Sequence, residues 1–394
     1  MAAPRKLDSA DLLRRLRARR SELTAQPAPA DRAAEEAAAS LAPSGPGIAA
    51  VPADLTAHDV ATMSLPDVEA TAEVVSSRIE GTLIETYRHL RLVMVAAAPA
   101  ILVAIATVWN AGYAGLPSIS HYYYTPARIV FVGALVTAAA ALLALSGRGA
   151  QRGWLDLAAL FAPLIALVPT RIANGEVPGW DAVCPSGTEC IPAEAYASIA
   201  TGVAVWFVFA VLVIGYGVLA ALLRRSGRDA VAAQVPRSAR ATWTPLVAGA
   251  VIIVFAAAAW IWARETFLDR AHLVSASLFF VIITIVALGQ ARRMHLEPDP
   301  SPPAGWWHRF VRRLRREIAW LPRIFTTFPG WIAFLLAADI VAGLLVLLLD
   351  LTAPIVVGGR AIGTVFLVEA VALVLFTVFW GFETVRKWNE ADPD

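Results

Sequence analysis

Residues 197–223 read ASIATGVAVWFVFAVLVIGYGVLAALL, a stretch that contains no charged side chain. A helix needs about 20 predominantly apolar residues to cross the hydrocarbon core of a bilayer. Similar stretches recur along the chain, which is 58% hydrophobic and only 16% charged and has a mean hydropathy of +0.62. A soluble domain carries about 25% charged residues. The sequence therefore predicts an all-α, polytopic membrane helix bundle.

Eight segments are long and apolar enough to predict about eight transmembrane helices. They are residues 91–113, 128–146, 154–170, 197–223, 242–263, 271–290, 330–350 and 361–382. The third is short and contains Pro163, so a seven-span arrangement stays open. We expect the bundle to occupy residues 79–385.

The chain ends are predicted to be cytoplasmic tails. Residues 1–78 are polar and rich in Ala and Pro, and they lack the apolar core of a signal peptide. They are predicted to be a disordered tail, apart from a short basic amphipathic helix in SADLLRRLRARRSEL at 9–23. Residues 72–90 are expected to form a helical lead-in to the first span, and residues 386–394 a second tail.

Basic residues are sorted between the two sides of this arrangement. If the N-terminus is cytoplasmic, 28 of the 33 Lys and Arg residues lie on the cytoplasmic side. Because basic residues are retained on that side, both termini are predicted to be inside. The predominance of Arg over Lys and the abundance of Ala point to a bacterial genome, so the predicted location is the bacterial cytoplasmic membrane.

The two cysteines lie in one external connection of this topology, residues 171–196. Cys184 and Cys190 are separated by five residues in a stretch rich in Pro and Gly. Outside the cytoplasm this spacing predicts a local disulfide. The alternative, a metal-binding pair, has no histidine at ligand spacing within the same connection.

Residues 306–321 are predicted to form a basic helix that lies in the cytoplasmic membrane surface. Apolar residues recur there at helical spacing and arginines cover the other faces, which is typical of interfacial helices. The residues expected at the lipid surface are Trp306, Trp307, Arg309, Arg312, Arg313 and Arg316. Each basic residue near an anionic leaflet contributes about 1 kcal/mol. Anionic lipid explains the pattern, and no nucleic-acid partner is expected.

Polar residues that can carry chemistry gather on the outer side. The short connection after the first span reads PSISHYYYTPAR at 117–128. It supplies Ser118, Ser120, His121, Tyr122, Tyr123, Tyr124 and Arg128. Asp269 and His272 lie at the outer end of the sixth span, and Glu369 lies within the eighth. A carboxylate inside the membrane costs several kcal/mol unless it is protonated, paired or hydrated, so Glu369 is a functional candidate.

Three interpretations of this outer set stay open. In the first, the histidines act as general bases or metal ligands, Glu369 or Asp269 supplies a carboxylate, and Ser118 or Ser120 is the nucleophile of a hydrolase. In the second, the tyrosines and Arg128 hold a small polar ligand or a transported solute. In the third, the tyrosines are only the aromatic belt of a membrane protein. No cofactor-binding motif is present to choose between them.

The block S-I-S-x-Y-Y-Y-T-P-x-R that begins at Ser118 resembles a block in bacterial multi-pass membrane proteins whose domain has no known function. Three later features are also similar: the LVPT ending of the third span at 167–170, His272 followed by a small-residue and aromatic run, and Glu369. The resemblance extends over about residues 90–385 and implies a shared fold and an outer-face site, with no activity attached. An acidic residue often follows the arginine in that family, whereas this chain has Ile129.

Overall fold

A computed structural model of the protein describes residues 9–25, 57–146, 151–180, 183–184, 189–225, 239–296, 326–357 and 360–390. The chain divides into two compact units, Met1–Thr86 and Tyr87–Asp394. The predicted lipid-surface residues of 306–321, namely Trp306, Trp307, Arg309, Arg312, Arg313 and Arg316, lie outside the described residues. The lipid-surface helix therefore stays a prediction.

The first unit contains helices α1 (Ser9–Ala25) and α2 (Ala57–Thr62) and the beginning of α3 (Leu65–Trp109). Helix α1 lies where the sequence predicts a basic amphipathic helix. A small apolar cluster is formed by Leu12, Leu16, Leu23, Val60, Val68 and Val75. Residues 57–62 and 65–70 are helical although they were predicted to belong to the disordered tail, whereas the lead-in predicted at 72–90 lies within α3. The valines recur at helical spacing and bury one face, a pattern that the Ala- and Pro-rich composition conceals.

The second unit is built around the apolar helices. After α3 come α4 (Arg128–Ala144), α5 (Arg152–Leu167), α6 (Ala193–Arg225), α7 (Ala239–Trp262), α8 (Arg264–Leu296), α9 (Phe328–Leu348) and α10 (Thr364–Arg386). Each of the eight predicted segments coincides with one of the helices α3 to α10. Within the described residues, six of these helices are long and apolar enough to cross a membrane, all but α4 and α5.

The outer surfaces of several of these helices are apolar. Val254 and Phe255 on α7 are 67% and 71% exposed, and Leu212 on α6 is 65% exposed. Soluble monomers rarely expose large contiguous apolar surface, whereas lipid-facing helices do so by necessity. The chain is therefore a multi-pass integral membrane protein with an all-α bundle.

Helix α5 lies in the middle of the bundle. It packs against α4, α6, α7 and α8, and every residue from Leu157 to Ala166 is buried. Small residues on this helix (Ala158, Ala159, Ala162 and Ala166) let neighbouring helices approach closely. Because α5 is surrounded by protein, it does not need the length or the hydropathy of a lipid-facing helix. The end of α5 leads directly into the connection that carries Thr170 and Glu176.

Two elements outside the helices lie at one end of the bundle. Residues Ile119–Tyr124 form a single 3₁₀ segment between α3 and α4. Strands β1 (Ile355–Val357) and β2 (Arg360–Ile362) pair antiparallel, with Ile355 opposite Ile362. This strand pair was not predicted from the sequence; the last span was predicted to begin at residue 361, whereas α10 begins at Thr364. The available signal was a Gly-Gly pair at 358–359 after three β-branched residues, which favours a two-residue hairpin turn.

Candidate functional site

The three tyrosines of the 3₁₀ segment are buried within the protein. Tyr122, Tyr123 and Tyr124 are 0%, 2% and 3% exposed. The Tyr122 hydroxyl donates to the carbonyl oxygen of Tyr113 at 3.2 Å, and the Tyr124 hydroxyl donates to that of Thr170 at 3.0 Å. Burial raises the pKa of both hydroxyls, so both remain protonated donors. These contacts tie the segment to the ends of α3 and α5.

Hydroxyl groups surround one ring nitrogen of His121. Ser118 Oγ lies 2.8 Å from His121 Nδ1, and Thr170 Oγ1 lies 3.3 Å from the same nitrogen. Ser120 Oγ is hydrogen-bonded to Ser118 Oγ at 3.1 Å and also to Thr170 Oγ1. Ser118, Ser120 and His121 are all buried. The structure thus brings together three of the candidate catalytic residues.

The other ring nitrogen of His121 faces a carboxylate that the sequence analysis did not single out. Glu176 Oε2 lies 3.6 Å from His121 Nε2, an ion-pair distance longer than a normal hydrogen bond. The same oxygen accepts a hydrogen bond of 2.8 Å from the Ala173 amide. Burial raises the pKa of the Glu176 carboxyl, but the interactions with His121 and Ala173 outweigh it and hold the pKa below its ordinary value.

This arrangement favours one tautomer of His121. An ionised Glu176 attracts a hydrogen on Nε2, which leaves Nδ1 as an acceptor for the Ser118 hydroxyl. The result is a hydroxyl, an imidazole and a carboxylate in series, which we call the Ser118–His121–Glu176 series. Topology was the signal that could have identified Glu176, because the predicted sidedness places residue 176 in the same external region as His121.

The pH dependence of the Glu176 contact can be measured by thermal unfolding. At neutral pH a Glu176→Gln variant is expected to melt at a lower temperature than the wild type, because glutamine lacks the carboxylate charge that attracts the hydrogen on His121 Nε2. Since folding lowers the pKa of Glu176, its carboxylate stabilises the fold above the ordinary pKa of about 4.3. That contribution is lost as the pH falls through the lowered pKa.

The difference in melting temperature between the two proteins is therefore expected to be smaller at pH 3 than at pH 5. Tryptophan fluorescence of the full-length protein in detergent reports the melting temperature at each pH. A difference of the same size at both pH values would show that the carboxylate charge of Glu176 does not stabilise the fold.

Glu369 holds the segment from the side of α10. Its carboxylate accepts a hydrogen bond from the backbone amide of Ile119, the first residue of the 3₁₀ segment. An amide at this position has no partner within its own helical turn, so the carboxylate satisfies it. A second contact of the same kind links α10 to this region, since the amide of Phe366 donates to the carbonyl of Pro117 at 2.9 Å. Glu369 thus fixes the backbone between Ser118 and His121.

His272 closes the end of α5. Its Nδ1 lies 3.1 Å from the carbonyl oxygen of Ile165 and 3.0 Å from that of Val168. Carbonyl oxygens only accept, so Nδ1 carries a hydrogen and donates it. Carbonyls at a helix C-terminus lack partners within the helix, and His272 supplies one. His272 therefore acts as a helix cap. Only its Nε2 is left for the predicted role as a base or metal ligand.

The predicted binding residues Arg128 and Asp269 make contacts of their own. The Arg128 guanidinium stacks on the Tyr123 ring at 4.2 Å from its centroid and donates to the Tyr123 hydroxyl at 2.6 Å. It also donates to the hydroxyl of Ser198 on α6 at 3.3 Å. Asp269 forms ion pairs of 3.3 Å with Arg171 and 3.2 Å with Arg270. None of these recorded contacts includes a member of the Ser118–His121–Glu176 series.

The connection that carries Glu176 is held in place by several bonds. Cys184 and Cys190 form a disulfide, which confirms the sequence prediction. Ile172 and Cys190 pair through two backbone hydrogen bonds of 3.0 Å. Trp180 donates from its ring nitrogen to the Tyr124 carbonyl, and the two rings meet edge to face with centroids 5.1 Å apart. This connection is therefore joined directly to the 3₁₀ segment.

Within the described part of the chain, no group of three or more His, Cys, Asp or Glu side chains is placed to hold a metal ion. No known protein family, curated protein or solved structure matches the chain. The resemblance based on the S-I-S-x-Y-Y-Y-T-P-x-R block therefore stays a prediction, and any function must be argued from the site itself.

Proposed function

We propose that the protein spans the bacterial cytoplasmic membrane eight times, with both termini in the cytoplasm, and hydrolyses a small ester at the outer face. Two observations support the span number. Every predicted segment coincides with a helix, and α4 and α5, with 17 and 16 residues, extend about 24–26 Å at about 1.5 Å per residue. The sorted basic residues and the disulfide support the orientation, because disulfides persist outside the cytoplasm.

The Ser118–His121–Glu176 series is the observation that supports hydrolysis. A nucleophile within hydrogen-bond reach of a base, with a third group orienting that base, is the recurring arrangement of acyl-transfer enzymes. The distance of 2.8 Å between Ser118 Oγ and His121 Nδ1 permits direct proton transfer. The 3.6 Å contact with Glu176 is loose, as such contacts often are before a substrate binds.

The reaction would proceed by covalent catalysis. Ser118 Oγ attacks the ester carbonyl while its proton moves to His121 Nδ1, and the Glu176 carboxylate stabilises the imidazolium that forms. His121 then gives the proton to the leaving alcohol, which departs and leaves an acyl group on Ser118. A water molecule, deprotonated by His121, releases the carboxylic acid and restores the serine. One ester and one water thus become one acid and one alcohol.

Burial of the series restricts the substrates that reach it. Ser118 and His121 are only 3% and 7% exposed, whereas the Glu176 side chain is 20% exposed. The connection that carries Glu176 also contacts His121 through Thr170. A substrate must therefore be small, or it must displace residues 171–180.

A fluorophosphonate probe tests the proposal without knowledge of the substrate. An activated serine displaces fluoride from phosphorus and becomes a stable phosphonyl-serine, with the released proton taken up by the histidine. Incubation of the full-length protein in detergent, followed by peptide mass spectrometry, is expected to show the adduct on Ser118. A Ser118→Ala variant should lose the adduct, and a Ser198→Ala variant should keep it, because the recorded contacts of Ser198 include no histidine.

Absence of the adduct from Ser118 in folded wild-type protein would refute the hydrolase proposal. Equal labelling of Ser118 and Ser198 would refute it as well, because it would show that His121 does not activate its neighbour.

A further inference from the structure

A cavity of about 480 Å³ lies between the helices at the other end of the bundle from the Ser118–His121–Glu176 series. Helix α4 begins beside the 3₁₀ segment and reaches this cavity at its last residues, Leu143 and Ala144. The start of α5 and the middle of α6 complete the walls. A volume of this size is in the range of ligand-binding cavities in proteins, about 300 to 1,000 Å³.

The cavity contains one positive and one negative side chain. The guanidinium of Arg152 lies 3.5 Å from the Asp156 carboxylate, and both side chains are less than one-fifth exposed. The guanidinium also stacks over the ring of Tyr216, 5.4 Å from its centroid. The hydroxyls of Tyr87 and Ser146 belong to residues that line the same space. Both signs of charge and several hydrogen-bonding groups therefore face one cavity.

The remaining walls are apolar and open towards the lipid-facing side of α6. Phe209, Leu212 and Val213 line the cavity, and Leu212 and Tyr216 are 65% and 63% exposed on the surface of the helix. The cavity is thus amphipathic, with both charges at the start of α5 and an apolar surface that continues along α6. Tyrosine at such a position is typical of the boundary between headgroups and hydrocarbon.

From these features we infer that the cavity binds a zwitterionic phospholipid with a primary ammonium, as in phosphatidylethanolamine. Arg152 is placed to bind the phosphate, since guanidinium groups form strong charge-assisted hydrogen bonds with phosphate oxygens. Asp156 is placed to accept a hydrogen bond from the ammonium, which a quaternary choline cannot donate. The acyl chains would follow Phe209 and Leu212 into the bilayer. An anionic headgroup would meet Arg152 favourably but would be repelled by Asp156.

Lipid retention by the full-length protein tests this inference. The protein is equilibrated in detergent with equal amounts of dioleoyl-phosphatidylethanolamine, -phosphatidylglycerol and -phosphatidylcholine, washed, and analysed by native mass spectrometry. The wild type is expected to retain phosphatidylethanolamine about tenfold over either of the others, a difference of about 1.4 kcal/mol in binding. Arg152→Gln and Asp156→Asn are each expected to abolish this preference.

Two further variants test the inference independently of the two charge substitutions. Leu212→Trp fills the apolar wall from the exposed surface and leaves both charges in place, so it should reduce retention even if the charge variants fold poorly. Arg270→Gln removes a surface arginine at the opposite end, with 71% of its side chain exposed, and should retain the lipid like the wild type. Equal retention of the three lipids by the wild type would overturn the inference. Undiminished lipid retention in folded Leu212→Trp would also overturn it. Displacement of the lipid by inorganic phosphate alone would do the same.

Discussion

Replacement of His121 by glutamine is expected to slow the phosphonylation of Ser118 by about 10³-fold, because general-base catalysis by a positioned side chain contributes about 10² to 10⁴-fold. Glutamine can still accept a hydrogen bond from Ser118 but cannot take its proton at neutral pH. The rate is measured from the time course of adduct formation on the full-length protein, with the folded fraction determined in parallel. The protein is expected to remain folded, since glutamine fills most of the space of the imidazole.

The comparison with His272→Gln separates a base from a structural histidine. His272 caps the end of α5 through the carbonyls of Ile165 and Val168, so its loss should lower the melting temperature and leave the labelling rate of the folded fraction unchanged. Addition of Glu176→Gln to His121→Gln should cause no further loss, because residues that act as one unit are not additive. Equal labelling rates of wild type and His121→Gln would eliminate His121 as the base.

The second large effect is expected at Gly363, the residue before α10, which packs against Pro117. A Cβ added at Gly363 would clash with the carbonyl oxygen of Pro117 and would lie 2.8 Å from two further backbone atoms of the same residue. Because backbone atoms cannot move aside as a flexible side chain does, Gly363→Ala should destabilise the protein by about 3 kcal/mol, the upper range for overpacking. This change would displace α10 from the segment that Glu369 holds. We expect the melting temperature to fall by roughly 5 to 10 °C and the labelling of Ser118 to fall with it.

Gly133→Ala is the matched control for this substitution. Gly133 lies within α4, and an added Cβ there meets no atom within 4 Å. Alanine is favoured over glycine in a helix by roughly 0.5–1 kcal/mol, so this variant should be as stable as the wild type or slightly more stable. A Gly363→Ala variant that melts at the wild-type temperature would show that the junction between α10 and Pro117 tolerates a change in backbone position.

The helical framework could be predicted from the sequence because lipid imposes a strong constraint on composition. The long apolar runs identified the helices, and the cysteine spacing identified the disulfide. Helix α5 gave the weakest sequence signal for a span, because it has only 16 residues and contains Pro163. The structure explains this weak signal, because α5 is covered by protein rather than by lipid. Small residues that allow close helix packing take the place of the length and hydropathy that a lipid-facing helix needs. Strands β1 and β2 were missed because each has only three residues, too few to give a recognisable alternating pattern.

The candidate site was predictable in its residue types but only partly in its contacts. Ser118 and His121 are close in sequence, and the 3₁₀ segment places them together, so a local pattern was sufficient. Glu176 comes from a different connection, 55 residues further along the chain, and no sequence spacing links it to His121. Glu369 was identified as a carboxylate within a membrane helix, and His272 as a polar residue at the end of one. Their partners are backbone groups, the Ile119 amide and the carbonyls of Ile165 and Val168, which a sequence pattern does not reveal.

The central claim is that Ser118 is an activated nucleophile at the outer face of the membrane, and sided labelling tests it most directly. A charged fluorophosphonate that cannot cross the bilayer is added to sealed right-side-out and inside-out vesicles that contain the full-length protein, and the adduct is located by mass spectrometry. We expect labelling of Ser118 in right-side-out vesicles and none in sealed inside-out vesicles until they are opened with detergent. Labelling confined to inside-out vesicles, or no adduct on Ser118 in either preparation, would contradict the claim.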